Sequence, residues 1–530
     1  MSTDMTPTTH DRPASVSSPA ESGLTSFLER FGWLLPVLAA VVVYHVSLNN
    51  FFSFDDFIWL DRSRTFKENW LQMFRVDVTY FDPVVHLLFL ADSMLGGLDP
   101  RWYHLVDLAV HAVNAVLVFR FARLLSGETK SAVYAGVLFA ASFAIADAVL
   151  WSSSRVDLLA TFFSLCALIQ FLHYLRGDRR RNLVLCFLAF VLALGSKGTP
   201  LVLPVVFFWL GVQERKPLRH ALCLAPFGVL VLLYVILLKL NMHQASLPLD
   251  RLHFNVKNLA MAFSSFFVTE ETLKYVNLPA VAASLFLVVT ALSFLAAPFR
   301  ESVAIRRTGW FMLVMSLLPV LVVTDFKLLT EYSDPYLLLS SPSHRIYLAS
   351  VGLALFGAGL LGQMERLLGK ISVRGASIAV AVVLLGAVVA NALLVRERDK
   401  VWQWVGDRYR YAFAGLSAYR QKMPPGSQLG LIFFPGSSGF QNPMVRVALN
   451  TGDVSLIKVV KLGFMEDREV LQKAEQSYLF ILEEDGKVLD RTEMFRRLLL
   501  LNRMALQHPE HPEYVSECKE IGRSIYDSFD

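Results

Sequence analysis

Long apolar runs separated by short charged turns fill residues 29–395. The hydrocarbon core of a bilayer, about 30 Å thick, needs roughly 20 residues of helix at about 1.5 Å rise each. Eleven runs approach that length: 31–49, 103–125, 131–150, 157–175, 182–196, 199–212, 220–240, 278–298, 308–324, 345–363 and 375–395. The fifth and sixth are short. Between them Ser196-Lys197-Gly198-Thr199-Pro200 reads as a tight turn at a membrane face. The pattern predicts an α-helical polytopic membrane protein of about 11 spans. Residues 1–28 open on Ser, Thr, Pro and Asp and read as a disordered tail, without a cleavable signal peptide.

The spanning pattern stops at residue 396. Residues 428–435, 454–462 and 477–489 read as strands, the last with a hairpin turn at Asp485-Gly486. Residues 402–422, 468–476 and 492–507 read as helices. Residues 396–530 are therefore expected to form a small extramembrane α/β domain. Its loop Pro435-Gly436-Ser437-Ser438-Gly439 offers backbone N–H groups to an anion, although an ordinary glycine turn is the favoured reading. No internal repeat is visible.

Charge sets the direction. Five short turns carry Arg120/Arg123/Lys130, Arg176/Arg179/Arg180/Arg181, Arg215/Lys216/Arg219, Arg300/Arg306/Arg307 and Arg366/Lys370/Arg374. With eleven spans all five fall on the side of the N-terminus, which the positive-inside rule makes cytoplasmic. Loops 50–102, 241–277 and 325–344 and the region 396–530 then face outside. Composition agrees: 54% of residues are apolar and 18% charged, against about 45–50% and 25% for soluble proteins. A soluble cytosolic enzyme is excluded. A net charge of +5, spread along the chain, gives no footprint for nucleic acid. Four cysteines, three of them in apolar runs, predict no structural disulfide.

Candidate chemistry lies in polar residues near the outer face, because ionisable groups at membrane depth are costly and tend to be functional. Phe54-Asp55-Asp56-Phe57 follows the first run. Two adjacent carboxylates raise the pKa of at least one, and such a group can take a proton from a hydroxyl. The alternative is a solvated loop acid or helix cap. His104, Asp107, His111 and Asn114 share one helix face. A hydrogen-bonded seam between helices is the favoured reading, and a metal site the alternative. Arg155, Lys197 and Arg345 stand where outer-facing runs end. Converging, they would hold a phosphate; singly, they would snorkel to headgroups. Segments 64–75 and 254–274 are amphipathic and expected to lie on the outer membrane surface.

Taken together these residues resemble the GT-C superfamily of polytopic glycosyltransferases. The likeness is greatest to the membrane half of the transmembrane and tetratricopeptide-repeat O-mannosyltransferases and their bacterial relatives. It covers about residues 33–360 and rests on Phe54-Asp55-Asp56, Asp82-Pro83 through Asp92, and Gly97-Leu98-Asp99-Pro100-Arg101-Trp102-Tyr103-His104-Leu105-Val106-Asp107. It continues through His111-Ala112-Val113-Asn114-Ala115, Trp151 to Asp157, Leu194-Gly195-Ser196-Lys197 and Arg345-Ile346-Tyr347-Leu348. Gly198 stands where the family usually has Glu, and no repeat array follows, so the acceptor does not carry over.

The resemblance implies transfer of a sugar from a polyprenyl-phosphate donor to a protein or glycan hydroxyl on the outer face, with inversion. Asp55 would be the general base and Asp56 its alternative or orienting partner. Asp92, His104 and Asp107 would line the pocket, and Arg155, Lys197 and Arg345 would bind the phosphate. No cofactor is required by this scheme. A divalent ion stays open, with Asp55, Asp56, Asp77 and Asp82 as oxygen donors. The compact size implies a bacterial inner membrane with a periplasmic C-terminal domain, the endoplasmic reticulum being the alternative. Competing readings are an O-antigen ligase or polymerase type enzyme, a lipid flippase or transporter, and a non-catalytic scaffold.

Overall fold

The computed structural model describes residues 26–74, 81–177, 179–216, 222–244, 256–267, 278–294, 300–322, 343–420, 422–452, 454–457, 467–483 and 485–526. Each of the eleven apolar runs is helical within them. Six helices among the described residues are long and apolar enough to cross a membrane: Pro100–Ser126, Ser152–Gly177, Leu222–Leu240, Val303–Val320, Tyr347–Gly369 and Val373–Ser417. A seventh candidate, Thr129–Ala140 with Phe143–Leu150, is bent by 47°. Leu34–Asn49, Arg180–Leu194, Thr199–Gln213 and Leu278–Phe294 are shorter. Length and composition thus support six or seven of the eleven expected spans. The chain is a multi-pass α-helical membrane protein.

Helices Arg300–Leu317 and Tyr347–Gly369 lie in close contact because glycines face each other. A Cβ at Gly309 would come within 2.4 Å of the Phe356 nitrogen, and one at Gly352 within 2.4 Å of the Leu313 nitrogen. Small residues that let backbones approach replace the hydrophobic drive that helix association lacks in lipid.

The last apolar run does not end at residue 396. Val373–Ser417 is one helix of 45 residues, about 68 Å long at 1.5 Å per residue. The separate helix expected over 402–422 is its far end. Arg398 holds it in place with a two-pronged ion pair to the buried Asp147, both contacts 2.7 Å, and Trp402 Nε1 donates to the same carboxylate at 2.8 Å. Asn50 donates to Asp399 at 3.0 Å.

Beyond it a four-stranded mixed sheet runs in the order β2-β1-β3-β4, where β1 is Gln428–Ile432, β2 Ser455–Ile457, β3 Ser477–Leu482 and β4 Val488–Asp490. β1 pairs parallel with β2 and β3, and β3 antiparallel with β4 through the hairpin at Gly486, whose φ is +89°. Residues 458–462 of the expected second strand lie outside the described residues. Alternation along β3 divides two cores. Leu479 and Ile481 pack with Phe495, Leu498 and Leu499 of helix Thr492–Gln507 and with Cys518 and Ile525. Phe480 and Leu482 join the larger core, with Met444, Val445 and Ala448 of helix Ser438–Leu449. That helix sets the sheet against Asp56–Glu68, the helix that opens on the second acid of the pair. All four cysteines are free.

In the amphipathic segments, Phe66 and Met73 are buried while Trp70 and Phe74 are exposed. In Val256–Ser264 and the turn after it, Phe263 and Phe266 are buried and Phe267 exposed. Residues 75–80, 251–255, 268–277 and 323–342 lie outside the described residues.

Candidate active site

The acidic pair sits on a turn that separates its two members. Asp56 is 1% exposed. Its carboxylate accepts from the Ser53 N–H at 2.8 Å and from the Ser153 hydroxyl. It ties the turn to the segment before helix Arg155–Gly177. Burial pushes its carboxyl up to about 7, against those two hydrogen bonds. Asp55 is only partly buried, and no side chain among the described residues hydrogen-bonds to its carboxylate. Burial pushes Asp55 up to about 6, and the charges of Arg62 and Arg345 act against that rise. Asp55 is therefore ionised but poised near neutrality, with its lone pairs available.

The three cations separate into two groups. Arg345 lies within electrostatic reach of Asp55, Asp157 and Lys197. Lys197 Nζ pairs with Asp157 at 2.6 Å, its side chain 17% exposed. The Lys197 turn is held from behind, where the Val84 N–H donates to the Gly195 carbonyl at 3.1 Å. His344 stands beside this group. Burial and the nearby Arg345, Lys197 and Arg398 keep its imidazole neutral.

Arg155 points elsewhere. Two residues along a helix turn a side chain by about 200°, so Arg155 and Asp157 face opposite sides. The Arg155 guanidinium, 1% exposed, donates to Asp107 at 2.8 Å, to Asp92, and to the Tyr103 carbonyl at 3.2 Å. It lies 4.3 Å from the centre of the Phe89 ring. Asp92 also accepts from Trp102 Nε1 at 3.1 Å. His104 Nδ1 meets the Ser152 hydroxyl at 3.4 Å. Asp92, His104, Asp107 and Arg155 are thus assembled as one buried cluster, apart from Lys197 and Arg345.

The rest of the polar face 104–114 is a seam between helices. His111 contacts the Tyr347 hydroxyl at 2.7 Å and the Ala140 carbonyl at 3.0 Å, and Asn114 donates to the Leu158 carbonyl at 3.0 Å. Among the described residues no three His, Cys, Asp or Glu side chains gather to hold a metal ion. Asp56 is taken up by serines and Asp82 is paired with His86 at 3.5 Å. Asp77 lies outside the described residues. Among the described residues Asp55, Asp56 and Asp82 do not gather as ligands for a metal ion.

Asp157, Arg62 and His344 have no part in the sequence-based expectations, yet the structure brings them beside Asp55, Lys197 and Arg345. Asp157 carried a readable signal, a carboxylate opening an apolar run. Arg62 carried none, because its neighbourhood depends on how the turn at Phe54 folds.

No protein-family model matches the chain. Protein O-mannosyl-transferase Tmtc1 of Drosophila melanogaster is 34% identical over 114 residues, 22% of this chain and 13% of that protein. Protein O-mannosyl-transferase TMTC2 of Mus musculus is 32% identical over 94 residues, 18% and 11% of the two chains. Protein O-mannosyl-transferase Tmtc2 of Drosophila melanogaster is 37% identical over 101 residues, 19% and 10%. The matched stretch thus spans at most 13% of the length of these relatives. Among solved structures, ArnT from Cupriavidus metallidurans bound to undecaprenyl phosphate overlays with a TM-score of 0.47 at 13% identity, over 86% of this chain and 94% of that one. A likeness of that size carries no further weight. Over the matched stretch the chain is similar in sequence to the protein O-mannosyl-transferases, the group that its motifs resemble.

Proposed function

We propose that the chain is a membrane glycosyltransferase that moves a sugar from a polyprenyl-phosphate donor to an acceptor hydroxyl on the outer face of the membrane. The observation that carries this reading is the Asp55 carboxylate, half-buried and without a hydrogen-bond donor among the described side chains, within electrostatic reach of Arg345. Asp55 takes the proton of the acceptor hydroxyl as that oxygen bonds to the anomeric carbon. The bond from that carbon to the phosphate oxygen breaks, and its electron pair leaves on the phosphate. Arg345 and Lys197 stabilise the charge that develops there, so the leaving group needs no proton. Attack opposite the leaving group inverts the anomeric centre.

Asp56 fixes the turn that carries Asp55. Asp92, Asp107, Arg155 and His104 form the rigid wall behind the site rather than its phosphate contacts. Trp70 and Phe74 rest in the outer leaflet and open the site to lipid. The N-terminus lies in the cytoplasm of a bacterial cell, and residues 396–530 in the periplasm. The acceptor is a protein or glycan.

Mannose is the first sugar to test, from the names of the sequence relatives. The test reconstitutes the full chain in lipid with polyprenyl-phosphate mannose and measures donor consumption. Asp55→Asn should lower turnover by about 10²–10⁴, the usual contribution of a general base, with the donor KM little changed. Full turnover in that variant would remove Asp55 from the mechanism.

A further inference from the structure

Phe54, immediately before Asp55, has φ +48°. A bulky L-residue seldom occupies that left-handed region, because its Cβ crowds the backbone, and the conformation persists only where the surroundings impose it. Among the described residues four rings surround Phe54, which is fully buried. Their centroids lie 5.5 Å away at Tyr409, 5.6 Å at Phe440, and 6.4 Å at both Trp151 and Trp402, all edge-on. Trp151 also donates to the Ser53 carbonyl at 3.3 Å.

Three of these rings, those of Trp402, Tyr409 and Phe440, come from chain beyond the last apolar run. Tyr409 is on the extension of Val373–Ser417, and Phe440 is on Ser438–Leu449, the helix that follows β1. The same helix grips Asp56–Glu68 further along. Arg64 donates to the Arg446 carbonyl at 2.5 Å, and Arg446 pairs with Asp61 at 3.3 Å.

We infer that the C-terminal α/β region is a working part of the Asp55 site, in which Phe440 and Tyr409 lock Phe54 in its left-handed conformation and so aim the Asp55 carboxylate at the space beside Arg345. The inference rests on the reading of Asp55 as general base. Phe440 and Tyr409 are positioning residues. Without the Phe440 ring, Phe54 is free to relax to negative φ, which swings Asp55 away while Lys197 and Arg345 keep their places. Chemistry should suffer and donor binding should not.

The experiment uses the full chain in lipid nanodiscs with polyprenyl-phosphate mannose as donor. Phe440→Ala should lower kcat about tenfold to a hundredfold, the scale of an ångström-sized misplacement, with donor KM within about twofold. Its acid limb should move to lower pH, because burial is the larger influence on Asp55 and the water it gains outweighs its greater distance from Arg345. Phe54→Gly adopts positive φ without strain, so adding Phe440→Ala to it should change kcat little further. Should Phe440→Ala fail to fold, Phe440→Leu, which keeps the apolar volume, should show the same KM-against-kcat split with a smaller loss. Unchanged kcat and pH profile in the Phe440 variant, or losses that simply multiply in the double variant, would overturn the inference provided Asp55→Asn silences the enzyme. Full turnover in Asp55→Asn would instead overturn the general-base reading itself.

Discussion

Asp55 and Arg345 lie within electrostatic reach of each other, one just beyond the first apolar helix and the other at the entrance to Tyr347–Gly369. The guanidinium favours the ionised carboxylate, while burial opposes it and leaves Asp55 at about 6. If ionised Asp55 is the base, kcat falls as pH drops through about 6. Arg345→Gln removes a charge that lowers the Asp55 pKa, so the acid limb should move to higher pH, by about one unit or less. A pH–rate profile of the two proteins reads this. A limb that stays in place or moves down would separate the two residues.

The same burial makes Asp55 costly to the fold. Its carboxyl is raised from 3.8 to about 6, so the penalty is absent below about pH 4, where folded and unfolded chains are both protonated, and complete above about 6. Asp55→Asn should therefore stabilise the fold at pH 7.5 by at most about 3 kcal/mol, at 1.36 kcal/mol per unit, raising the melting temperature there and changing it little at pH 4. Thermal unfolding in detergent at the two pH values checks this. Loss of stability at pH 7.5 would mean that the carboxylate is a structural ligand.

Arg155 and Lys197 should fail in different ways. Arg155→Met strands Asp92 and Asp107 in a buried cluster, and breaking a buried ion pair from one side costs about 3–5 kcal/mol. Lys197→Met leaves one carboxylate with Arg345 still nearby, so stability should fall less and donor KM or kcat more. Melting temperatures and kinetics measured together distinguish the two outcomes.

Tyr347→Phe removes the hydroxyl shared by His111 and Asn114. Leaving those buried groups short of a partner should cost about 1–3 kcal/mol. Turnover should stay within a few-fold of the parent, because the seam touches neither Asp55 nor Lys197. A large loss of kcat in a folded variant would bring the seam into the chemistry.

Much of the helical layout was legible, because eleven apolar runs bounded by charged turns leave little else for lipid-facing backbone to form. The boundary at residue 396 was not a helix end. Arg396-Glu397-Arg398-Asp399-Lys400 marks a change of solvent, and with neither Gly nor Pro to stop it the helix continues. Ser438–Leu449 was hidden by Gly439 and by Pro443 inside it. The candidate site was legible as residue types at one membrane face, but its grouping was not. That Arg155 turns inward and Lys197 joins Arg345 follows from helix rotation and partners far along the chain. The left-handed backbone at Phe54 left no sequence mark, since that conformation ordinarily calls for Gly or Asn.

The most direct measurement is a map of the full chain in lipid with polyprenyl phosphate bound. The account predicts phosphate oxygens within hydrogen-bond distance of Arg345 and Lys197, with the Asp55 carboxylate facing the same cavity across the space of one sugar. A phosphate held elsewhere, or Asp55 turned to bulk water away from it, would contradict the assignment.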